Sequence, residues 1–381
     1  MIQRTAESEL RALASQYKAV AVVGPRQSGK TTLVRWVFKD KPYINLENPD
    51  TRLFATDDPR AFLSNYPNGA ILDEAQRVPE LFSYLQQILD ESATFGLFII
   101  TGSNNFLLQE NISQSLAGRI GYLNLLPLSI DEIDNVSLSP DTLMFNGGYP
   151  IIYNQQIEVS KWYSNYIRTY VERDVRLLKN ISNLNTFEKF LRLCAGRIGQ
   201  LLNMSNLAIE TGVDVKTISA WISVLETSFL VFKLQPYHEN HNKRVVKMPK
   251  LYFYDTGLAM ALLGFENENH LSLHPYRGQI FENMVILEFL KKRFNKGKSN
   301  NLYFWRDNVG NEVDLIIADG STITPVEIKS GQTITNDYFK GIQYWNKISK
   351  TEGGYVIYGG NTEQKRGGGI TVLPYNQINL L

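Results

Sequence analysis

Residues 24–31 read GPRQSGKT, which fits G-x-x-x-x-G-K-[ST]. The apolar, β-branched run Ala19–Val23 precedes the motif, and the helical pattern Thr32–Phe38 follows it. A chain with that order must end a strand, curl its backbone around an anion and enter a helix. Gly24 and Gly29 let the backbone curl without a Cβ in the way. The segment Gly24, Pro25, Arg26, Gln27, Ser28, Gly29, Lys30, Thr31 and Thr32 is therefore read as the phosphate-binding loop. Its N–H groups and the helix start present positive potential. Lys30 reaches for the β- and γ-phosphates of a nucleotide, and Thr31 offers its hydroxyl to Mg²⁺.

About forty residues on, Gly69–Glu74 reads GAILDE, an apolar strand ending in two carboxylates. Asp73 is placed to hold Mg²⁺ through water, and Glu74 to orient and deprotonate the attacking water. A third run, Leu97–Thr101, ends in Gly102-Ser103-Asn104. In a parallel sheet its C-terminal end falls beside the other two loops, where ligands bind. Ser103 or Asn104 then touches the γ-phosphate or the water, or the segment is an ordinary turn. Charge building on the transferred phosphoryl calls for an arginine, in cis or from a neighbouring copy. Arg119 in LAGRI and Arg173 in YVERDV are the candidates, each with a structural ion pair as its alternative.

The runs Ala19–Val23, Tyr43–Leu46, Ala70–Leu72 and Leu97–Ile100 are too short and too β-branched for helices. Periodic segments such as Pro79–Glu91 lie between them, and Tyr122–Leu126 adds a further strand candidate. Strands alternating with helices predict a parallel α/β sheet with helices on both faces. Helical patterns continue from about Tyr163 to Phe229. The chain has 381 residues, with 39 Lys or Arg against 38 Asp or Glu, a net of +1, which excludes a uniformly basic or acidic protein. One cysteine and four histidines exclude a disulfide framework and a clustered Cys/His zinc site. The start, Met1 to Gln16, is charged throughout, and no window reaches the apolar length of a membrane span. The expectation is a soluble, cytoplasmic protein.

Ser205–Val224 reads SNLAIETGVDVKTISAWISV. Ala208 at a close helix crossing, Gly212 in a left-handed turn and Ile218 locking the second helix make a helix-turn-helix spacing. The following strand, polar loop and strand (Phe229–Pro236, then Val245–Tyr254) would form a wing. Lys216, Thr217 and Ser219 open the second helix and are the candidates for a DNA groove. Residues 186–250 hold nine Lys or Arg against five Asp or Glu. Lys243, Arg244, Lys247 and Lys250 cluster in and after the wing, where phosphate contact is expected. Equally, such a region serves as a lid or subunit contact, and Trp221 is core or interface.

The C-terminal part, after a turn-rich stretch at 267–277, reads as helix Gly278–Phe294, strands Leu302–Trp305, Glu312–Ile317 and Thr324–Ile328, a helix near Tyr338–Lys350, and strand Gly354–Tyr358. Glu327 and Lys329 form E-x-K and share one strand face. A hairpin over 318–325 brings Asp314 to that face, and Glu282 on the preceding helix completes it. The pattern resembles that of PD-(D/E)xK nucleases without the leading proline, and Gln343 fits a variant of it. In this reading Glu282, Asp314 and Glu327 hold Mg²⁺ and Lys329 activates the water or stabilises developing charge. An inactive binding module is the alternative.

Together the pieces GPRQSGKTTL, ILDEAQ, ITGSN, SLAGRIGYLNLLPLS, NGGYP, YIRTYVERDV, KMPKLYFYDTGLA, GQIFENMVILEFL and WRDNVGNEVDLII…PVEIKSG resemble a family of archaeal and bacterial AAA+-type ATPases. The resemblance runs to about residue 345. It implies an ATP-binding AAA-type domain (1–155), a helical and winged-helix region (156–265) and a nuclease-like α/β domain (266–381). The expected function is a Mg²⁺-dependent ATPase acting as a nucleotide-driven switch, coupled to DNA or a protein partner, with homo-oligomerisation open. The alternatives are an ATP-gated nuclease and a non-enzymatic DNA-binding or signalling scaffold that holds nucleotide structurally.

Overall fold

The computed structural model describes residues 2–102, 112, 114–133, 138–171, 184–238 and 246–380. Two compact units emerge: residues 1–128 with 227–229 and 293–299, and residues 129–226 with 230–292 and 300–381.

The first unit is built on five parallel strands: β1 (Ala19–Val23), β2 (Tyr43–Asn45), β3 (Ala70–Asp73), β4 (Phe98–Gly102) and β5 (Ile120–Asn124). Their order is β2-β3-β4-β1-β5. All five residues of β1 are fully buried, which a strand achieves only when both sheet faces are covered. Val20 and Val22, on one face, pack with Leu33, Val34 and Val37 of helix Lys30–Val37 and with Ala6 and Leu10 of the N-terminal segment. The amphipathic helix Leu81–Glu91 buries Leu81, Phe82, Leu85 and Leu89. The expected runs are strands, with β5 beginning two residues earlier than its hydropathy suggests. The fold class is α/β with a parallel sheet, as expected.

The second unit carries an eight-stranded sheet in the order β12-β13-β11-β10-β9-β8-β6-β7. Its strands are β6 (Val231–Pro236), β7 (Lys250–Phe253), β8 (Leu302–Arg306), β9 (Glu312–Asp319), β10 (Thr322–Lys329), β11 (Gly354–Tyr358), β12 (Gln364–Lys365) and β13 (Ile370–Pro374). Helices Leu184–Ala195, Met204–Thr211 and Val215–Thr227 lead into the antiparallel pair β6–β7. Asn203 caps the second of these helices and Asp214 caps the third, with Gly212 in the left-handed region (φ 83°) between them. Ala208 and Ile218 are buried as the spacing requires. Trp221 is core: its ring lies 5.2 Å from those of both Phe187 and Phe190. After helix Arg277–Phe294, strands β8, β9 and β10 form an antiparallel meander. Helix Lys340–Ser349 then crosses over to β11, which pairs parallel with β10. The far end of β6 pairs parallel with β8 through Gln235–Tyr303 and Pro236–Phe304, so hairpin and C-terminal strands share one sheet.

Candidate functional site

The loop after β1 has the geometry its sequence demands. Gly24 (φ 155°) has no room for a side chain, because a Cβ would strike the Leu125 carbonyl. Gln27 and Gly29 sit at φ 61° and 92°, the second immediately before helix Lys30–Val37. Lys30 is buried and folds back into the loop, its Nζ donating to the carbonyls of Gly24 (3.0 Å) and Pro25 (2.7 Å). Burial lowers its pKa to about 8, against the opposing pull of Glu74 and Asp73. Ser28 is fully buried, and its hydroxyl has no hydrogen-bond partner. An orphan donor in a loop shaped for an anion fits a phosphate oxygen.

Asp73, at the end of β3, is the second anchor. It accepts from the Thr31 hydroxyl at 3.0 Å, from the Tyr43 hydroxyl at 2.6 Å and from the Thr101 hydroxyl. Thr31 belongs to the loop helix, Tyr43 to β2 and Thr101 to β4, so three separate elements fix one carboxylate. A hydroxyl and a carboxylate oxygen this close are the hard donors that Mg²⁺ prefers, and both fit it. The next residue, Glu74, leaves the strand in a left-handed conformation (φ 57°, ψ 42°), and its carboxylate accepts from Gln76 Nε2 at 2.5 Å.

β4 lies between β1 and β3, so its C-terminal end falls between the loop and the two carboxylates. Ser103, Asn104 and Arg173 lie outside the described residues. Arg119 is not brought to the loop. It precedes β5, whose parallel register with β1 sets Ile120 beside Ala19 and Asn124 beside Val23. Arg119 thus stands at the sheet end opposite the loop, in a bidentate pair with Asp90 (2.5 and 3.0 Å). The structural-pair alternative describes it in this chain.

Sequence reasoning passed over Tyr43, Thr101 and Arg4. The Arg4 guanidinium donates to the Ser28 carbonyl and to the Leu126 carbonyl, each at 2.7 Å, clamping the loop to the segment behind it. No local motif announces such a residue, because its partners lie 24 and 122 positions away.

The C-terminal constellation comes together, but around lysines. Lys329 donates to Asp314 (2.9 Å) and Glu327 (2.6 Å), and Asp314 also accepts from the Ile328 N–H (2.8 Å). Glu282 accepts from Lys250 (2.9 Å) and the Tyr252 hydroxyl (2.5 Å), while Lys250 also pairs with Glu312 at 2.5 Å. Burial opposes the charge on Lys250, yet Glu282, Tyr252, Glu312 and Asp314 outweigh it and hold the pKa well above the ordinary lysine value. Burial and then Asp314 push the Glu327 carboxyl well up, with Lys329 opposing. Helix Lys340–Ser349 closes on Glu327 so tightly that a Cβ on Gly341 would collide with its carboxylate.

Among the described residues, no group of three or more His, Cys, Asp or Glu side chains is disposed to hold a metal ion. In the expected second Mg²⁺ site, Lys250 donates to Glu282 and Lys329 donates to Asp314 and Glu327. Lys250 is also no phosphate contact, being 3% exposed and sealed in this network. Lys247 is exposed, and Lys243 and Arg244 lie outside the described residues. Lys216 and Ser219 are exposed, whereas the Thr217 hydroxyl is committed to Asp214 (2.8 Å). Gln343 is exposed on its helix. No helix among the described residues is long and apolar enough to cross a membrane.

A parallel sheet with a glycine loop, a buried lysine and a strand-end carboxylate defines a P-loop nucleotide-binding domain. The AAA domain family matches residues 16–134, and two domains of unknown function, DUF8612 and DUF4143, match residues 139–269 and 277–378. The uncharacterized protein Rv2008c of Mycobacterium tuberculosis is 33% identical over 337 residues, covering 87% of this chain and 74% of that protein. The chain belongs to the same family of AAA-domain proteins. A more distant member of the comparison, the uncharacterized protein MJ1544 of Methanocaldococcus jannaschii, is 27% identical over 79% of this chain and 72% of its own length. Among solved structures, the Walker-type ATPase Paby2304 of Pyrococcus abyssi aligns at 16% identity with a TM-score of 0.45. That alignment covers 69% of this chain and 96% of the other.

Proposed function

We propose that the protein binds ATP and hydrolyses it with Mg²⁺, and that turnover drives a switch coupled to DNA or a protein partner in the cytoplasm. The observation that carries this is the convergence of Lys30, Thr31 and Asp73 at one end of the parallel sheet, with Glu74 directly after. Mg²⁺ held by Thr31 and Asp73 would neutralise charge between the β- and γ-phosphates. Lys30 would exchange two carbonyl partners for phosphate oxygens, and Ser28 would gain the acceptor it lacks. Glu74 would take a proton from the attacking water. Membership in an AAA-domain family supports ATP over GTP.

The three-part organisation (1–155, 156–265, 266–381) is part of this proposal. In it, helices Met204–Thr211 and Val215–Thr227 with the β6–β7 pair act as a winged helix. The order helix, β8, β9, β10, helix, β11 supports a nuclease-like fold for the last part. Its lysine-filled carboxylates favour a binding module over an ATP-gated nuclease.

The deciding experiment is ATP hydrolysis with Mg²⁺, with and without DNA, on wild type and Glu74→Gln. DNA-stimulated turnover lost in the variant supports a nucleic-acid-coupled switch. Turnover indifferent to DNA points to a protein partner, and no turnover in wild type sinks the hydrolysis reading. Mg²⁺-dependent DNA cutting abolished in a folded Lys329→Ala variant would revive the nuclease.

A further inference from the structure

Gln76 has no role in the site so far, although it ends the run ILDEAQ. It lies in the short 3₁₀ turn Ala75–Arg77 and is 7% exposed. Its Nε2 donates to Glu74 Oε2 at 2.5 Å, and its Oε1 is buried with no partner. Two features make this more than packing. Glu74 occupies a left-handed backbone conformation that strains a non-glycine residue, and such strain gathers at functional sites. A buried carboxamide oxygen with no partner in the protein leaves a lone pair for another proton donor. A water molecule beside Glu74 is such a donor, and it is the reactant that hydrolysis requires.

We propose that Gln76 is a positioning residue: its nitrogen aims the Glu74 carboxylate, and its oxygen accepts one hydrogen of the attacking water. This deepens the ATPase reading and rests on it. The water's second hydrogen goes to Glu74 as its oxygen bonds to the γ-phosphorus. The bond from that phosphorus to the bridging oxygen breaks, the electron pair stays on ADP, and inorganic phosphate leaves. Glu74 then releases its proton to solvent. Reach is critical, since the donor and acceptor sit on one rigid carboxamide two residues past the base.

The test measures Mg²⁺-ATP turnover and ATP affinity for wild type, Gln76→Ala and Gln76→Asn, with a double-variant cycle on Glu74→Gln. The expected result is a fall in kcat of about 10- to 100-fold for both Gln76 variants. ATP dissociation constants should stay within about three-fold, and Gln76→Ala should add nothing in the Glu74→Gln background. Gln76→Asn, one methylene short, keeps the test valid if the alanine variant misfolds. Wild-type kcat in the variants, a raised kcat, or losses that multiply in the double variant overturn the inference while leaving the ATPase intact. A wild type that binds ATP without turning it over overturns the hydrolysis reading and, with it, this inference.

Discussion

The two regions of the molecule use buried lysine in opposite ways. In the glycine loop, Lys30 is held by two backbone carbonyls, and burial pulls its pKa down to about 8. In the C-terminal sheet, Lys250 pairs with Glu282 and Glu312, and Lys329 with Asp314 and Glu327, acidic partners that keep both lysines charged. A carbonyl is a weak partner that a phosphate oxygen can displace with a net gain in charge pairing. A carboxylate is already the strong partner. The first arrangement is therefore poised to receive an anion, and the second is complete without one.

That contrast can be broken at several points. Lys250→Met should have the largest effect, because it leaves the largely buried Glu282 without its counter-ion, while Glu312 keeps Arg306. We expect a loss of about 3–5 kcal/mol in unfolding free energy, read by chemical denaturation. Lys30→Met should do the reverse in the unliganded protein, leaving stability unchanged or raised, while ATP turnover falls about 100- to 1000-fold. Equal destabilisation by the two substitutions would erase the distinction. Arg4→Ala should weaken nucleotide affinity by about ten-fold, in line with charged hydrogen bonds worth about 1.5–3 kcal/mol, and calorimetric titration would show it.

The last expected effect is a pH dependence of stability. Lys30 has a pKa of about 8 when folded against 10.5 in the unfolded chain. Between those values the unfolded chain binds more protons, so the stability of wild type relative to Lys30→Met rises with pH. The slope is at most about 1.4 kcal/mol per pH unit, and below pH 8 the difference is flat. Denaturant midpoints for both proteins from pH 7 to 10 would check it, and a falling difference would refute the assignment.

Legibility in the sequence followed the range of the interactions. Ala19–Val23 and Gly354–Tyr358 could be read to the residue, because β-branched runs between turn residues are local signals. The loop and the Asp73–Glu74 pair were equally plain, each being contiguous and fixed by its own chemistry. Tyr43 and Thr101 escaped notice because only the strand order brings them to Asp73. Lys250 looked like wing chemistry because Lys247 stands nearby and because its partners Glu282 and Glu312 come 32 and 62 residues later. The missed strand β13 has no polar landmark, only a short apolar run after a glycine triplet.

The double partnership of β6 has a practical consequence for dissecting the protein. Cutting the chain near residue 265 would remove the neighbour that covers the outer rim of β8 at Tyr303 and Phe304. The released fragment would carry an open, aromatic β-rim able to recruit strands from other copies. It should be prone to self-association in proportion to concentration, whereas a fragment retaining residues 230–253 keeps that rim covered.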